Sequence, residues 1–362
     1  YELSPLKDSL PLEGVSTLDL VLIQRHILGL ESISSPYRLI AADVNHSGSV
    51  TAADLTELRK LILGVNERFT NNTSWRFVDA GYIFPDLSNP WPWTEILQYD
   101  LIETDMNQSD FIAVKTGDVN GSVSDLYSDK QTERRKKDRF ELITEDVFLQ
   151  AGDLVSIPLK TKNKAEITGL QWTIQISDDL EFLGFEAEKL PLKSDETAII
   201  RRNSKQYFTV SFAAPELSGF DEDEILIHLT FSVRNSGRIS RFIFLNNDIT
   251  TSEVYNREYE TGDISLGFRA AGQYMQNAVL QNQPNPFREE TILQVQLASK
   301  GPLSINIYDS EGKAVYRNTT EYPSGNHRIS ITDKQLGSRT GVFYCKIKAG
   351  DLNDVIRILR IE

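Results

Sequence analysis

The sequence predicts a multidomain, mainly β protein in which a small α-helical domain precedes two antiparallel β-sandwich domains. Three observations lead to this fold class. Residues 16–30 and 51–65 align without gaps as two short amphipathic helices. Apolar and polar residues then alternate from about residue 140 to residue 268, and again in several runs after residue 281. Short alternating strands separated by polar turns are typical of sandwiches.

The two aligned segments predict helices with similar beginnings and ends. Asp19 aligns with Asp54, and a Ser or Thr precedes each acid at capping distance. Apolar residues follow at spacings of three and four, and Gly29 and Gly64 stand where a left-handed helix end favours glycine. The pattern therefore predicts a duplicated loop-helix unit.

The stretch DVNHSGSVTAADL, just before the second helix, carries oxygen-bearing side chains at alternate positions. Calcium takes six to eight oxygens, and a twelve-residue loop supplies them from positions 1, 3, 5, 7, 9 and 12. Gly48 falls at position 6, where such a loop turns sharply, whereas an Asp-rich helix cap accounts for only one of the acids. The sequence predicts an EF-hand-type calcium loop with ligands from Asp43, Asn45, Ser47, Ser49 (backbone carbonyl), Thr51 and Asp54.

The first repeat has only the back half of such a loop. Aligned on Asp19, its positions 1, 3 and 5 fall on Asp8, Leu10 and Leu12, and leucine side chains do not bind cations. Residues 117–123, GDVNGSV, form the complementary front half. We therefore predict a second calcium site assembled from Asp19, Asp118, Asn120 and Ser122.

A contiguous second loop is the alternative to this composite site. It runs from residue 118 and closes on Asp129, but it places Val123 where glycine belongs and Asp125 where an apolar residue belongs. Substitution of Asp19 separates the two interpretations, because only the composite site depends on that carboxylate.

The regions between the predicted elements set the domain boundaries. Residues 69–111 are rich in aromatic residues and proline, and Trp91 and Trp93 either pack this segment onto the helices or stack on sugars. The charge-dense run near residue 130 predicts a linker. The predicted organisation is a first domain at 1–127, a linker at 128–137, a sandwich at 138–269, a linker at 270–280 and a second sandwich at 281–362.

Composition excludes several classes of function. The net charge of −14 over 362 residues opposes binding to nucleic acid, and no apolar run is long enough for a membrane-spanning helix. The single cysteine, Cys345, permits no internal disulfide and lies in a strand pattern typical of a core residue. The chain has no initiator Met or early apolar block, so we expect a piece of a longer protein.

The sequence predicts no enzyme. It contains none of the common nucleophile, zinc-protease or nucleotide-binding motifs, and its four histidines are scattered. The acidic run from Asp221 to Glu224 directly precedes a predicted strand, so we interpret it as a solvated turn rather than a pair of glycosidase carboxylates.

The motifs resemble three known families. Over roughly residues 13–125 the chain resembles type I dockerin, a calcium-dependent module that binds cohesins, above all in the stretch DVNHSGSVTAADLTELRKLILG. The incomplete first loop and an insertion at 66–116 depart from the dockerin pattern. Residues 138–269 look like a cohesin-type sandwich. The end of the chain resembles the C-terminal sorting domain of type IX secretion cargo from Bacteroidota through Pro284, Asn285, Pro286, Phe287, Tyr308, Asp309, Gly312 and Gly341.

These resemblances imply a noncatalytic part of a large secreted or outer-membrane surface protein. Its expected work is adhesion or assembly, with calcium as cofactor and the type IX secretion machinery as a partner of residues 281–362. Three arrangements of the dockerin-like and cohesin-like modules follow from the resemblance. They bind within one chain, giving a compact stalk, or between chains, giving a ring or filament, or they do not bind each other and the pairing is only a family resemblance. The alternative is a carbohydrate-targeting tail of a polysaccharide-degrading enzyme, with Trp91 and Trp93 in contact with the glycan.

Overall fold

The computed structural model describes residues 1–100, 109–126, 139–270, 277–279, 282–297, 300–323, 325–350 and 352–361. The linker predicted at 128–137 lies outside the described residues, as does most of the one predicted at 270–280. The predicted fold class is confirmed: the chain is mainly β, with few helices and several sheets. None of the helices in the described part of the chain combines the length and the apolar character that crossing a bilayer requires.

In its described residues, the first domain has four helices and two short strand pairs. The helices are α1 (Thr17–Ile27), α2 (Pro36–Ala42), α3 (Ala52–Ile62) and α4 (Ser122–Leu126). The strands are β1 (Glu2–Leu3), β2 (Trp75–Asp79), β3 (Leu97–Gln98) and β4 (Phe111–Lys115), and β1 pairs with β3 while β2 pairs with β4. The pairing of β2 with β4 therefore brings the two ends of the insertion together.

The duplicated unit folds as its pattern predicts. Helices α1 and α3 each begin with a capping box, in which Ser16 and Asp19, or Thr51 and Asp54, satisfy the free N–H groups of the first turn. Both helices end just before a glycine in the left-handed region. Their apolar faces pack together in one core that includes Leu20, Ile23, Leu58, Leu61 and Ile62.

The second domain is a β-sandwich formed from one ten-stranded sheet that folds over its own core. The strands of the domain are β5 (Arg139–Asp146), β6 (Phe148–Leu149), β7 (Leu154–Thr161), β8 (Ala165–Ile176), β9 (Leu180–Ala187), β10 (Thr197–Arg202), β11 (Lys205–Phe220), β12 (Ile225–Val233), β13 (Gly237–Arg238), β14 (Ile243–Leu245), β15 (Glu253–Tyr255) and β16 (Thr261–Ala270). All belong to the ten-stranded sheet except β6 and β13, which pair with each other, and β14 joins the sheet through β8. Short 3-10 helices occupy Ser194–Glu196 and Ile239–Arg241.

Strand order and burial show how this sandwich encloses its core. The main path is β10-β11-β8-β15-β16-β5-β7-β12-β9, and only the β16–β5 pair is parallel. The apolar residues that alternate along β7, β8 and β12 are buried, and Trp172 is completely enclosed. Alternation along each strand thus supplies both halves of the core.

The third domain packs a three-stranded sheet against a four-stranded sheet. Its strands are β17 (Ala278–Val279), β18 (Glu290–Leu297), β19 (Gly301–Tyr308), β20 (Ala314–Tyr322), β21 (Gly325–Thr332), β22 (Gly341–Ala349) and β23 (Leu352–Arg360), with a 3-10 helix at Asp333–Leu336. The sheet orders are β17-β18-β21 and β20-β19-β22-β23. The short β17 comes from the segment predicted as a linker, so the domain includes residues before 281.

Cys345 lies in the core between these sheets. Its side chain is fully buried on β22, and burial raises the pKa of the thiol to about 12. A buried thiol with a raised pKa is a poor nucleophile, so the prediction of a structural role agrees with its position.

The second and third domains touch through polar contacts at the β6–β7 turn. The Leu154 N–H donates to Oε1 of Gln294 (2.7 Å), and Nη1 of Arg328 donates to the Gly152 carbonyl (2.6 Å). The Asn326 side-chain amide donates to Asp153 (3.2 Å). These bonds join one face of the third domain to the sandwich.

Candidate functional sites

The loop between α2 and α3 folds around its two buried acids. Oδ1 and Oδ2 of Asp43 accept the N–H groups of Ser47 (2.8 Å) and Gly48 (2.9 Å). Gly48 has a φ of +78°, a conformation that favours glycine at this turn. The two oxygens of Asp54 accept the N–H groups of Asn45 (3.0 Å) and Thr51 (2.8 Å). The side chains of the first and last predicted ligands are thus both held by backbone N–H groups of the same loop.

The other predicted ligands of this loop also present oxygen atoms. The Ser47 hydroxyl donates to the Ser49 carbonyl (3.2 Å), so these two oxygens lie together. Oδ1 of Asn45 is buried and has no hydrogen-bond partner. A buried acceptor without a donor is costly unless a cation or water satisfies it. The residues present therefore fit a hard cation at this loop.

The electrostatics of this loop favour a cation as well. Burial raises the pKa of Asp54, and the negative charge of Asp43 raises it further. Both carboxylates are almost inaccessible to solvent. Two buried like charges repel each other unless a positive charge offsets them.

The second predicted site brings together segments from the two ends of the first domain. Oδ1 of Asp19, at the start of α1, accepts the N–H groups of Val119 (2.8 Å) and Asn120 (3.1 Å). Asp54 accepts the Asn45 N–H in the same way in the contiguous loop. The alternative ligand Asp129 lies outside the described residues.

The front half of this assembled loop repeats the geometry of the contiguous one. Asp118 accepts the N–H groups of Ser122 (2.9 Å) and Val123 (3.0 Å), as Asp43 does from the equivalent positions. The Ser122 hydroxyl donates to the Gly14 carbonyl (2.9 Å). Gly14 precedes Asp19 by the same interval as Ser49 precedes Asp54. The Gly14 carbonyl therefore occupies the place of position 7, and sequence reasoning missed it.

The two acids of the assembled loop, Asp19 and Asp118, also repel each other. Asp19 is completely buried, and burial followed by the Asp118 charge raises its pKa to about 7. Burial also raises the pKa of Asp118. Lys115 lies nearby, but burial lowers its pKa to about 8, and its ammonium group donates to the carbonyls of Pro11 (2.7 Å) and Thr116 (3.0 Å).

Asp8, the other acid of the first repeat, lies away from this assembled loop. Its Oδ1 accepts the N–H (2.9 Å) and the hydroxyl (2.8 Å) of Ser74 in the insertion. Among the described residues no three or more His, Cys, Asp or Glu side chains are grouped so that they could hold a metal ion by themselves. Each loop instead combines two carboxylates with amide, hydroxyl and carbonyl oxygens.

The first turn of α1 also contacts the second domain. The Thr17 N–H donates to Oε1 of Gln171 on β8 (2.6 Å), and the Thr17 hydroxyl lies 2.6 Å from the Ser211 hydroxyl on β11. At the other end of the helix pair, the Thr209 hydroxyl donates to the Leu63 carbonyl (2.9 Å). Thr17, Ser211 and Thr209 are completely buried. Two helix ends thus pack on one face of the sandwich.

Ionic and aromatic contacts surround this buried centre. Arg59 pairs with Asp195 (3.0 Å), and Glu67 pairs with Arg202 (2.9 Å). The Tyr259 hydroxyl donates to Glu31 (2.8 Å). Gly169 has no room for a side chain, because an added Cβ would lie 2.9 Å from the Phe212 carbonyl and 3.1 Å from Val21 of α1. Sequence reasoning identified none of these residues.

Residues of the predicted sorting motif at the start of the third domain bond to its last strand. Phe287 is buried, its N–H donates to the Leu359 carbonyl (3.0 Å), and its carbonyl accepts the Ile361 N–H (2.9 Å). Asn285 exchanges bonds with the same strand, donating to the Arg357 carbonyl (2.9 Å). Pro284 and Pro286 flank Asn285, and both follow cis peptide bonds. The motif therefore joins the start of the domain to β23.

The remaining motif residues form turns. Oδ1 of Asp309 accepts the N–H of Lys313 (2.9 Å) in the tight turn after Tyr308, and Gly312 has a φ of +80° there. Gly341, at the start of β22, has a φ of +125°. These glycines stand where residues with a Cβ are strained.

Trp91 and Trp93, two of the three tryptophans of the insertion, pack within the first domain. The Trp93 indole N–H donates to the Phe77 carbonyl (3.2 Å), and the Arg76 guanidinium lies 5.1 Å from the Trp93 ring centre. The Trp91 ring lies beside Gly48 of the contiguous loop. Both side chains are half-buried.

Comparisons with known proteins match two segments of the chain, one near its start and one at its end. Residues 13–63 match the family model of the dockerin type I domain, and residues 283–361 match that of the secretion system C-terminal sorting domain. Dockerin type I domains are in general calcium-binding and pair with cohesins. A sorting domain of this kind implies type IX secretion to the cell surface or beyond. No curated protein matches the chain.

Solved cohesins are similar in structure to part of the chain. The sixth cohesin of scaffoldin B from Acetivibrio cellulolyticus, in complex with a dockerin mutant, is 16% identical with a TM-score of 0.29, over 36% of this chain and 95% of its own. A cohesin–dockerin complex from Clostridium thermocellum is 12% identical with a TM-score of 0.27, over 36% and 100%. A non-cellulosomal cohesin from Archaeoglobus fulgidus is 15% identical with a TM-score of 0.25, over 38% and 94%. The chain carries a dockerin type I domain at residues 13–63 and a secretion system C-terminal sorting domain at residues 283–361.

Proposed function

We propose that this chain is a noncatalytic, calcium-stabilised region of a larger secreted or cell-surface protein that acts in adhesion or assembly. It works as three modules, 1–127, 138–269 and 281–362, of which the last is read by the type IX secretion machinery. The matches to a dockerin and a sorting domain, which are noncatalytic module types, support this function. One observation carries it: residues 16–19 belong both to an oxygen-rich loop and to the contact with the sandwich.

The first module binds two calcium ions in this proposal. One ion is held by the loop from Asp43 to Asp54, with Asn45, Ser47, the Ser49 carbonyl and Thr51 between them. The other is held by Asp19, Asp118, Asn120, Ser122 and the Gly14 carbonyl. The repeated hydrogen-bond pattern and the raised pKa values of the acids support both sites. Calcium offsets the paired negative charges, and its binding free energy adds to that of folding.

Calcium stoichiometry tests this proposal directly. We expect the full chain, stripped with chelator, to bind two calcium ions in a calorimetric titration. Asp43→Asn and Asp118→Asn should each reduce the number to one, because each removes a charged ligand from a different loop. A wild-type chain that binds no calcium contradicts the proposal, and one that binds a single ion through both acids contradicts the two-site assignment.

The stability of the calcium-free chain should fall as the pH rises from about 5 to 7.5. The folded first domain raises the pKa of Asp19 from 3.8 to about 7, so it holds this proton more tightly than the unfolded chain. The free energy of unfolding therefore falls as the pH rises through this interval. In chelator, we expect a higher melting temperature near pH 5 than near pH 7.5.

Excess calcium should reverse this trend, because the ion binds the deprotonated carboxylates. Melting curves at both pH values, with calcium and with chelator, measure the effect. A melting temperature that rises with pH in chelator contradicts the role of Asp19.

The dockerin module docks on the sandwich of its own chain in this proposal. The buried bonds of Thr17 to Gln171 and Ser211, together with the Leu63 contact, support it. Covalent linkage gives the two modules a high effective concentration for each other. A surface used within the chain is not free for a neighbour, so this arrangement favours a compact stalk over a ring or filament.

A further inference from the structure

The contiguous loop is held from outside by a side chain of the insertion. Nδ2 of Asn72 donates to the carbonyls of Asp43 (3.1 Å) and Val44 (3.2 Å). These two carbonyls belong to the backbone that joins the side chains of Asp43 and Asn45. One amide group therefore fixes the peptide planes from which two proposed ligands project.

The orientation of Asn72 is itself fixed within the insertion. Its Oδ1 accepts the Thr73 N–H (2.9 Å) and a guanidinium N–H of Arg76 (3.2 Å). Because Oδ1 has two donors, the NH₂ group must face the loop carbonyls. The amide cannot flip without breaking bonds on both sides.

Arg76 is held in turn by a two-pronged ion pair. Its Nε and Nη2 donate to the two carboxylate oxygens of Glu95, at 2.8 Å and 3.1 Å. Oε1 of Glu95 also accepts the Phe77 N–H (2.8 Å). The Arg76 side chain is 8% exposed and the Glu95 side chain is 32% exposed, so the pair is partly shielded from water.

The insertion reaches the same loop at a second place. An ideal Cβ on Gly48 would lie 3.9 Å from Cγ of the Trp91 ring. Gly48 is the turn of the loop, and its N–H donates to Oδ2 of Asp43 (2.9 Å). The loop is therefore contacted by the insertion at its first residues and at its turn.

We infer that the insertion is a bracket, formed by Asn72, Arg76 and Glu95, that pre-forms the loop from Asp43 to Asp54 for calcium without touching the ion. The inference rests on the proposed calcium site. Forming a calcium loop costs conformational entropy, and bonds made before the ion arrives reduce that cost. Outer-shell partners of metal ligands typically change affinity by about 10- to 100-fold.

The test uses the full chain with Asp118→Asn, so that only the contiguous loop binds calcium. In that background, Asn72→Asp keeps the size and the acceptor of the side chain but replaces the donor with a second oxygen. We expect calorimetry to give a calcium affinity at least about tenfold weaker. The matched control is Asn89→Asp, because it adds the same charge at an exposed residue of the same insertion and should leave the affinity unchanged.

Glu95→Gln provides a second variant that keeps the shape of the bracket and weakens its ion pair. It should weaken calcium binding less than Asn72→Asp, and near-ultraviolet circular dichroism should show a native fold at saturating calcium. Wild-type affinity in both bracket variants overturns the inference while leaving the proposed function intact. A background chain that binds no calcium overturns the contiguous site and the inference together.

Discussion

Replacement of Asp19 by Asn is expected to remove one calcium ion and to lower the melting temperature of the first domain in calcium by about 10 °C. The magnitude follows because a ligand at a hundredfold excess over its Kd contributes about 2.7 kcal/mol, and in a domain of this size about 1 kcal/mol corresponds to a shift of several degrees. Asp19 is the acid that joins α1 to residues 119 and 120. The number of ions is measured by calorimetry, and the melting temperature by circular dichroism.

Asp8→Asn is the matched control for this prediction. Asp8 is the other acid that the repeat aligns with a calcium loop, yet it bonds to Ser74. This variant should still bind two ions. Two bound ions in the Asp19 variant would favour the contiguous loop that closes on Asp129. A melting loss of equal size in chelator would assign the effect to the lost helix cap rather than to calcium.

Replacement of Thr17 by Arg is expected to separate the first domain from the sandwich. Thr17 is completely buried between Gln171 and Ser211, and an arginine side chain at this position has neither the room nor the partners that a buried charge requires. In the detached domain the same side chain would face water, so the fold of the first domain should persist. Small-angle scattering should record a radius of gyration larger by an amount on the order of a few ångströms.

Ala52→Arg is the control that the repeat itself supplies. Ala52 is the first residue of α3, as Thr17 is the first residue of α1, but it is exposed. The two variants place the same charge at the same position of a helix, so helix effects cancel in the comparison. An unchanged radius in the Thr17 variant would mean that this contact does not hold the domains together.

The sequence contained enough information for the parts of the site that depend on side-chain type. The loop from Asp43 to Asp54 is contiguous, so its spacing was readable, and the two half-loops were complementary enough to predict that Asp19 meets residues 118–122. Their geometry agrees with that assembly, although calcium binding itself stays a prediction. The Gly14 carbonyl was missed because any residue can supply a carbonyl. The interval between Ser49 and Asp54 was the signal that would have found it.

Tertiary contacts account for the other omissions. Helix α2, with only seven residues, has too short a pattern for its period to be recognised. Thr17, Gln171 and Ser211 are small or uncharged residues whose burial comes from an interface between domains. The aromatic- and proline-rich sequence of the insertion shows no strand pattern, but β2 and β4 pair across it. Alternation along the strands, in contrast, predicted the sandwich cores because burial on one face follows directly from the strand period.

The assembled loop has a consequence for the order in which the first domain folds. Its acid and its front half are 100 residues apart, whereas the other loop closes within a dozen. Each doubling of the closed segment adds only about 0.6 kcal/mol of entropy, so the longer closure costs roughly 2 kcal/mol more. We therefore expect the nearer loop to close first and to bind its ion before the assembled loop does. We expect the distant closure to follow, so that the second ion binds only when the two ends of the first domain have come together.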